Sequence, residues 1–168
     1  MKKNHRPRVL SERYGRLLLN LFPPFIFNRI RIVSVGNGFR SCSVRVRPSL
    51  LTRNLNGTIF GGAIFSAADP FYAVMFWQIF ARQDMRVQTW LKSASIEYLR
   101  PAAVDLTLEF ALTDEDIEDA KTTLERDGRY TRTFSVAALD PKGKVCARMT
   151  NEVYLRLETG ERKPKSTF

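Results

Sequence analysis

One histidine and two cysteines are all that the 168 residues hold of the two residue types on which zinc sites, Ser-His-Asp triads and Cys-His pairs depend. His5 stands in a basic terminal stretch, and Cys42 and Cys146 lie far apart, each in strand-like sequence. Those chemistries are excluded. So is a disulfide framework, and a reducing cytoplasm is the expected setting. Any reaction here must run on carboxylates, amides, hydroxyls and backbone groups.

Acids are the second scarcity. Residues 1–53 carry 12 Lys and Arg against one acid, Glu12, while the remainder is balanced at 15 against 16, so the net charge of +10 belongs to the first third of the chain. Such a field attracts an acidic carrier protein, a phosphorylated cofactor or anionic lipid, or serves solubility alone. Few aromatic residues interleave the charge, so stacking on nucleic-acid bases is not expected.

Residues 17–27 follow a basic start as a signal peptide's apolar region does, but Pro23 and Pro24 interrupt them and no small-residue cleavage site follows. An amphipathic helix over residues 9–22, with Leu10, Leu17, Leu18 and Leu21 apolar and Arg6, Arg13 and Arg16 polar, is expected to pack on the domain's own sheet rather than on a membrane. Residues 59–81 are long enough to cross a bilayer. Asp69 at mid-span would cost about 3 kcal/mol there, and Pro70 sits beside it. A helix apolar all round is also what a sheet wraps, which is the expectation for this one.

Alternation and turn residues divide the remainder. Strands are expected at 30–34 and 40–47 around Gly36-Asn37-Gly38, at 87–99, at 104–112, and in a closing hairpin at 130–139 and 144–157. Thr113 caps a short helix with the stripe Ile117, Ala120 and Leu124 that stops at Gly128. The apolar helix runs from Gly62 to Arg82, with Pro70 either kinking it or opening a new helix capped by Asp69. Hairpin-linked strands with one dominant helix give an α+β layer fold. Residues 1–28 are expected as a basic helical segment on the domain, 29–157 as the domain, and 158–168 as a loose tail.

The segment Asn54-Leu55-Asn56-Gly57-Thr58-Ile59-Phe60-Gly61-Gly62 followed by Asp69 is the candidate site. A helix starting at two glycines aims free N–H groups and a partial positive charge outward. Asp69, seven residues past Gly62 and on roughly the same face, would let one acyl group meet both. Structural roles compete: a cap for Asp69, close packing for the glycines, turns for Asn54 and Asn56.

With those residues in view, the chain resembles the hotdog fold, and residues 54–70 resemble the N-x-x-G-T-x-H-G-G-(x)7-D signature of PaaI-like acyl-CoA thioesterases through Asn54, Gly57, Thr58, Gly61, Gly62 and Asp69. Residues 93–101 and the closing D-x-x-G hairpin are similar to the family too, so the likeness spans residues 29–157. The resemblance implies a hydrolase of acyl-CoA or acyl-carrier thioesters, working as a homodimer or homotetramer with no cofactor beyond the coenzyme A of its substrate. It puts Asp69 at the base position, Gly61 with Gly62 at the oxyanion, and Asn54 on water or thioester from a neighbouring subunit. Thr89 and Ser93 would offer hydroxyls from the central strand. Arg82, Arg86 and Arg100 could meet coenzyme A phosphates, or be solvated surface. Phe60 replaces the signature's histidine, which argues against the hydratase and dehydratase branches of the fold and could shape an acyl tunnel. A non-hydrolytic acyl-thioester or lipid binder is the alternative.

Overall fold

A computed structural model describes residues 8–158 of the chain. Its elements run α1 (Glu12–Asn20), α2 (Pro23–Phe27), β1 (Ile30–Gly36), β2 (Ser41–Val46), α3 (Gly61–Ala68), α4 (Phe71–Arg82), β3 (Val87–Tyr98), β4 (Leu106–Ala111), α5 (Asp114–Asp127), β5 (Arg129–Leu139) and β6 (Val145–Leu157). The six strands form one antiparallel sheet in the order β1-β2-β4-β5-β6-β3. Inward residues of β2 (Cys42, Val44, Val46) and β4 (Leu106, Leu108, Phe110) meet Phe71, Met75, Phe76 and Phe80 of α4 in the core. The α+β wrap expected from hairpins and one dominant helix is what the chain forms.

The stretch Gly61–Arg82 is long and apolar enough to cross a membrane, yet two thirds of its hydrophobic window is buried in the fold. It is two helices, because Pro70 has no N–H to continue the ladder. Asp69 does not cap the second one: it closes α3 in helical conformation (φ −64°, ψ −63°), and Pro70 holds the N-cap position of α4 without a side-chain bond.

The N-terminal segment departs from expectation. It is two short helices, and of the four leucines expected to pack only Leu10 is buried; Leu17, Leu18 and Leu21 face outward. Helix α1 docks by other means. Buried Gln78 on α4 accepts from Leu10 N–H (2.8 Å) and donates to the Arg8 carbonyl (3.1 Å). Gly15 packs so closely that a Cβ there would stand 2.7 Å from the Phe39 ring. Asn20 matches the edge of β1 as a strand would, accepting from Ile32 N–H (2.8 Å) and donating to its carbonyl (3.0 Å). The middle of that edge is thereby covered. At the other end of the sheet β3, twelve residues long, pairs among the described residues only with β6, and none of them covers its outer edge. The tail expected to be loose lies, beyond its first residue, outside the described residues, as does His5.

Candidate functional site

The start of α3 is held by the loop before it. Ile59 N–H donates to the Ala102 carbonyl (2.7 Å) and Phe60 N–H to that of Thr52 (2.6 Å), while buried Thr52 is tied through Oγ1 to the Arg47 carbonyl (3.1 Å). Phe60 is the N-cap and supplies no side-chain acceptor. Its carbonyl takes the N–H groups of Ala63 and Ile64, which leaves those of Gly61 and Gly62 without a partner among the described residues. Two donors on rigid backbone therefore face outward at the positive end of a helix dipole.

Two rings cover this end. A Cβ on Gly61 would lie 2.7 Å from the Tyr98 Cζ and Oη, so Tyr98, at the end of β3, lies directly on it. The Phe60 ring folds over Gly62. Burial raises the Tyr98 pKa, which keeps its hydroxyl protonated and able to donate. Arg100 follows two residues later, anchored by its N–H to the Cys146 carbonyl (3.0 Å), and so stands at the same end of the sheet.

Asp69 marks the other end of α3. Its carboxylate is half-buried, and desolvation alone raises its pKa: among the described residues no hydrogen bond or cation offsets the burial. From β6 the fully buried Asn151 donates Nδ2 to the Ala68 carbonyl (2.7 Å), one residue away, while its Oδ1 has no partner among the described residues. A half-buried carboxylate with a raised pKa suits proton transfer with water better than ion pairing.

The expectation that one acyl group meets both ends of α3 in a single chain fails on distance. Seven helical residues place Asp69 about 10 Å behind Gly62. An oxyanion held by the N–H groups stands about 3 Å further out. A water bridging base and carbonyl reaches roughly half that total.

The other residues divide. Asn54 closes its own loop, its Oδ1 accepting from the N–H groups of Asn56 and Thr58 (both 3.0 Å) and its Nδ2 donating to Thr58 Oγ1 (2.9 Å), so it shapes the approach to α3 as a turn residue. Thr89 pairs with buried Leu155 and faces the helices, but lies nine residues from Tyr98, roughly 30 Å along the strand from Gly61. Ser93 does not face them. The irregularity between Leu91 and Ser93 turns it to the outer surface, where its hydroxyl donates to Glu152 (2.7 Å) beside the Lys92–Glu152 pair. Tyr98 and Asn151 were not singled out from sequence. Asn151 leaves one trace there, a polar side chain at an inward position between Met149 and Val153.

A family model described as a domain of unknown function, DUF4442, matches residues 11–155. Among solved structures, a Pseudomonas aeruginosa protein of unknown function described as a probable thioesterase aligns at 22% identity and TM-score 0.79, over 90% of this chain and 99% of that one. A thioesterase from Haemophilus influenzae aligns at 10% identity and TM-score 0.64, over 90% and 94%. The PaaI protein of the phenylacetic acid degradation operon of E. coli aligns at 15% and 0.55, over 87% and 91%. These likenesses establish the hotdog fold. No curated protein matches the chain.

Proposed function

The chain belongs to the DUF4442 family, and from that membership and the hotdog fold we propose that the protein hydrolyses acyl thioesters of coenzyme A or of an acyl carrier in the cytoplasm. The observation that carries this reading is the pairing of two partnerless glycine N–H groups at the start of α3 with a burial-raised carboxylate at its end. Asp69 takes a proton from water as the water oxygen attacks the thioester carbon, and the carbonyl oxygen becomes an anion that accepts from Gly61 and Gly62. Collapse re-forms the carbonyl, breaks the C–S bond and returns the proton to the leaving thiolate. No cofactor enters beyond the coenzyme A of the substrate.

Because one chain cannot bring both ends of α3 to one carbonyl, each site combines Asp69 of one copy with the glycine N–H groups of another. The bare edge of β3 supports the means: a second copy adding its own β3 antiparallel joins two sheets and covers an otherwise exposed strand. A homodimer is the smallest assembly that does this, and a pair of dimers repeats it. Asn54 then acts by fixing the loop, and Arg100 meets a coenzyme A phosphate, a reading supported by its position at the end of the sheet where α3 starts.

Phe60 favours a second reading. Its ring over Gly62 stands where the resembling signature has histidine, and an apolar cover there suits a binder that holds an acyl chain without cleaving it. A panel of acyl-CoA esters of graded length with free-thiol detection tests the two: thiol release well above the uncatalysed rate supports hydrolysis, and tight binding without release supports the binder.

A further inference from the structure

The outer face of α1 and α2 is apolar and unpartnered. Leu17, Leu18 and Leu21 lie within roughly 100° of one another around α1, and Phe22, Ile26 and Phe27 extend the patch across α2. All six are exposed, Leu21 at 60% and Phe27 at 65%. The helices are nevertheless firmly held from beneath: Phe25 stacks on Phe71 (ring centroids 5.8 Å apart), and Asn20 is bonded to β1. The apolar side chains therefore project from a rigid platform.

Charge borders this patch on one side. Leu17 shares the wall of a groove of about 280 Å³ with Arg13, Arg16, Arg31 and Arg45, the last two paired across β1 and β2. Glu12, the single acid of residues 1–53, is turned away to accept from Gly38 N–H (2.6 Å), so it does not neutralise them. A second copy using the same face would set these arginines against themselves, so the occupant must be negative and apolar at once.

We propose that α1 and α2 dock the protein on an anionic lipid bilayer, with Leu17, Leu18, Leu21, Phe22, Ile26 and Phe27 entering the acyl boundary and Arg13, Arg16, Arg31 and Arg45 meeting lipid phosphates. Exposed apolar side chains bordered on one side by arginines match an interface into which they can sink while the arginines stay at its charged surface. Docking stands independently of thioester hydrolysis and turns the α2 side of the α4 start, where Phe25 meets Phe71, toward the bilayer.

The test is vesicle flotation of the full chain at low and high salt. Vesicles of phosphatidylcholine with about one quarter phosphatidylglycerol are compared with phosphatidylcholine alone. Wild type should float with the anionic vesicles at least about tenfold better than with neutral ones, less so at high salt. The double variant Leu21→Asp with Phe27→Asp should lose about tenfold or more of this partition at both salts, and Arg13→Glu with Arg16→Glu should lose the preference for anionic lipid. Unchanged thermal midpoints exclude misfolding, which these exposed positions do not invite. Equal flotation of wild type and the Leu21/Phe27 variant overturns the proposal. So does a fall in oligomer mass in that variant, which would make the patch a contact between copies. Failure of wild type to float, with capture of an acidic acyl carrier protein lost on reversing the arginines, overturns it in favour of a protein partner.

Discussion

Asn151 on β6 donates its amide to the Ala68 carbonyl at 2.7 Å, reaching across 83 residues of sequence to the point where the central helix breaks. Pro70 removes one donor from this break, and Asn151 supplies one from the sheet. Removing it should be costly. Asn151→Ala leaves a buried carbonyl unpaired and a small void, which destabilises by about 1–3 kcal/mol and lowers the thermal midpoint by roughly 3–10 °C for a chain of this size. Because Ala68 precedes Asp69, kcat should fall as well while KM changes little. Calorimetry with thiol-release kinetics checks both, and an unaltered midpoint would remove Asn151 from the account of the break.

The carboxylate itself offers a sign that a structural acid would not. Burial raises the Asp69 pKa, so the folded state favours its protonated form. Its favourable contribution is present in full below the unfolded pKa and disappears as pH rises through the folded one. At neutral pH Asp69 therefore costs stability, and Asp69→Asn should melt at or above wild type while hydrolysis drops by on the order of 10² to 10⁴ in kcat. Toward acid pH the stability difference should close. A mutant that melts markedly lower at pH 7 would contradict a burial-strained carboxylate.

Acid inactivation follows from the same shift. The base works only when ionised, so the acid limb of the kcat profile should lie above 3.8, the ordinary value for aspartate, on the side to which burial pushes Asp69. No histidine stands among the described residues to place a limb near neutrality. A limb at or below the ordinary value would assign the titration to some other carboxylate.

What the sequence disclosed was what is local. Thr113 announced the start of α5, and it forms a full capping box, its Oγ1 accepting from Asp116 N–H (3.1 Å) while Asp116 accepts in return from Thr113 N–H (2.8 Å). Gly128 closes that helix at φ 71°, a conformation few other residues take without strain. Leucine spacing in α1 was equally clear, yet spacing does not say whether a stripe is buried. Asn20 and Gly15 face β1 and Phe39, and this turns the leucines out. Ser93 shows the same limit, since one irregularity in β3 reverses the face on which it stands. Tyr98 was legible as the end of a strand but not as the ring over Gly61, because that contact is set by how β3 lies along α4 and brings its last residue to the start of α3.

The sharing of one site between two copies can be tested by complementation. Gly61 is the first residue of α3, where proline is tolerated, and Phe60 before it already has the extended conformation (φ −57°, ψ 130°) that a following proline demands. Gly61→Pro therefore removes an N–H donor while keeping the helix, provided Tyr98 turns aside, and at 53% exposure it has room to do so. Hydrolysis should fall by about 10² to 10³ in kcat. Mixing this variant with Asp69→Asn after partial denaturation and refolding makes half of the dimers mixed. If Asp69 works with the glycines of its partner, each mixed dimer holds one doubly damaged site and one intact site, and activity returns to on the order of a quarter of wild type. If both groups serve within one chain, no intact site forms and the mixture matches the sum of the two parents. Light scattering on the same samples must give a multiple of the 19.3 kDa chain mass, and a monomer at micromolar concentration, or a mixture without recovery, would sink the shared site.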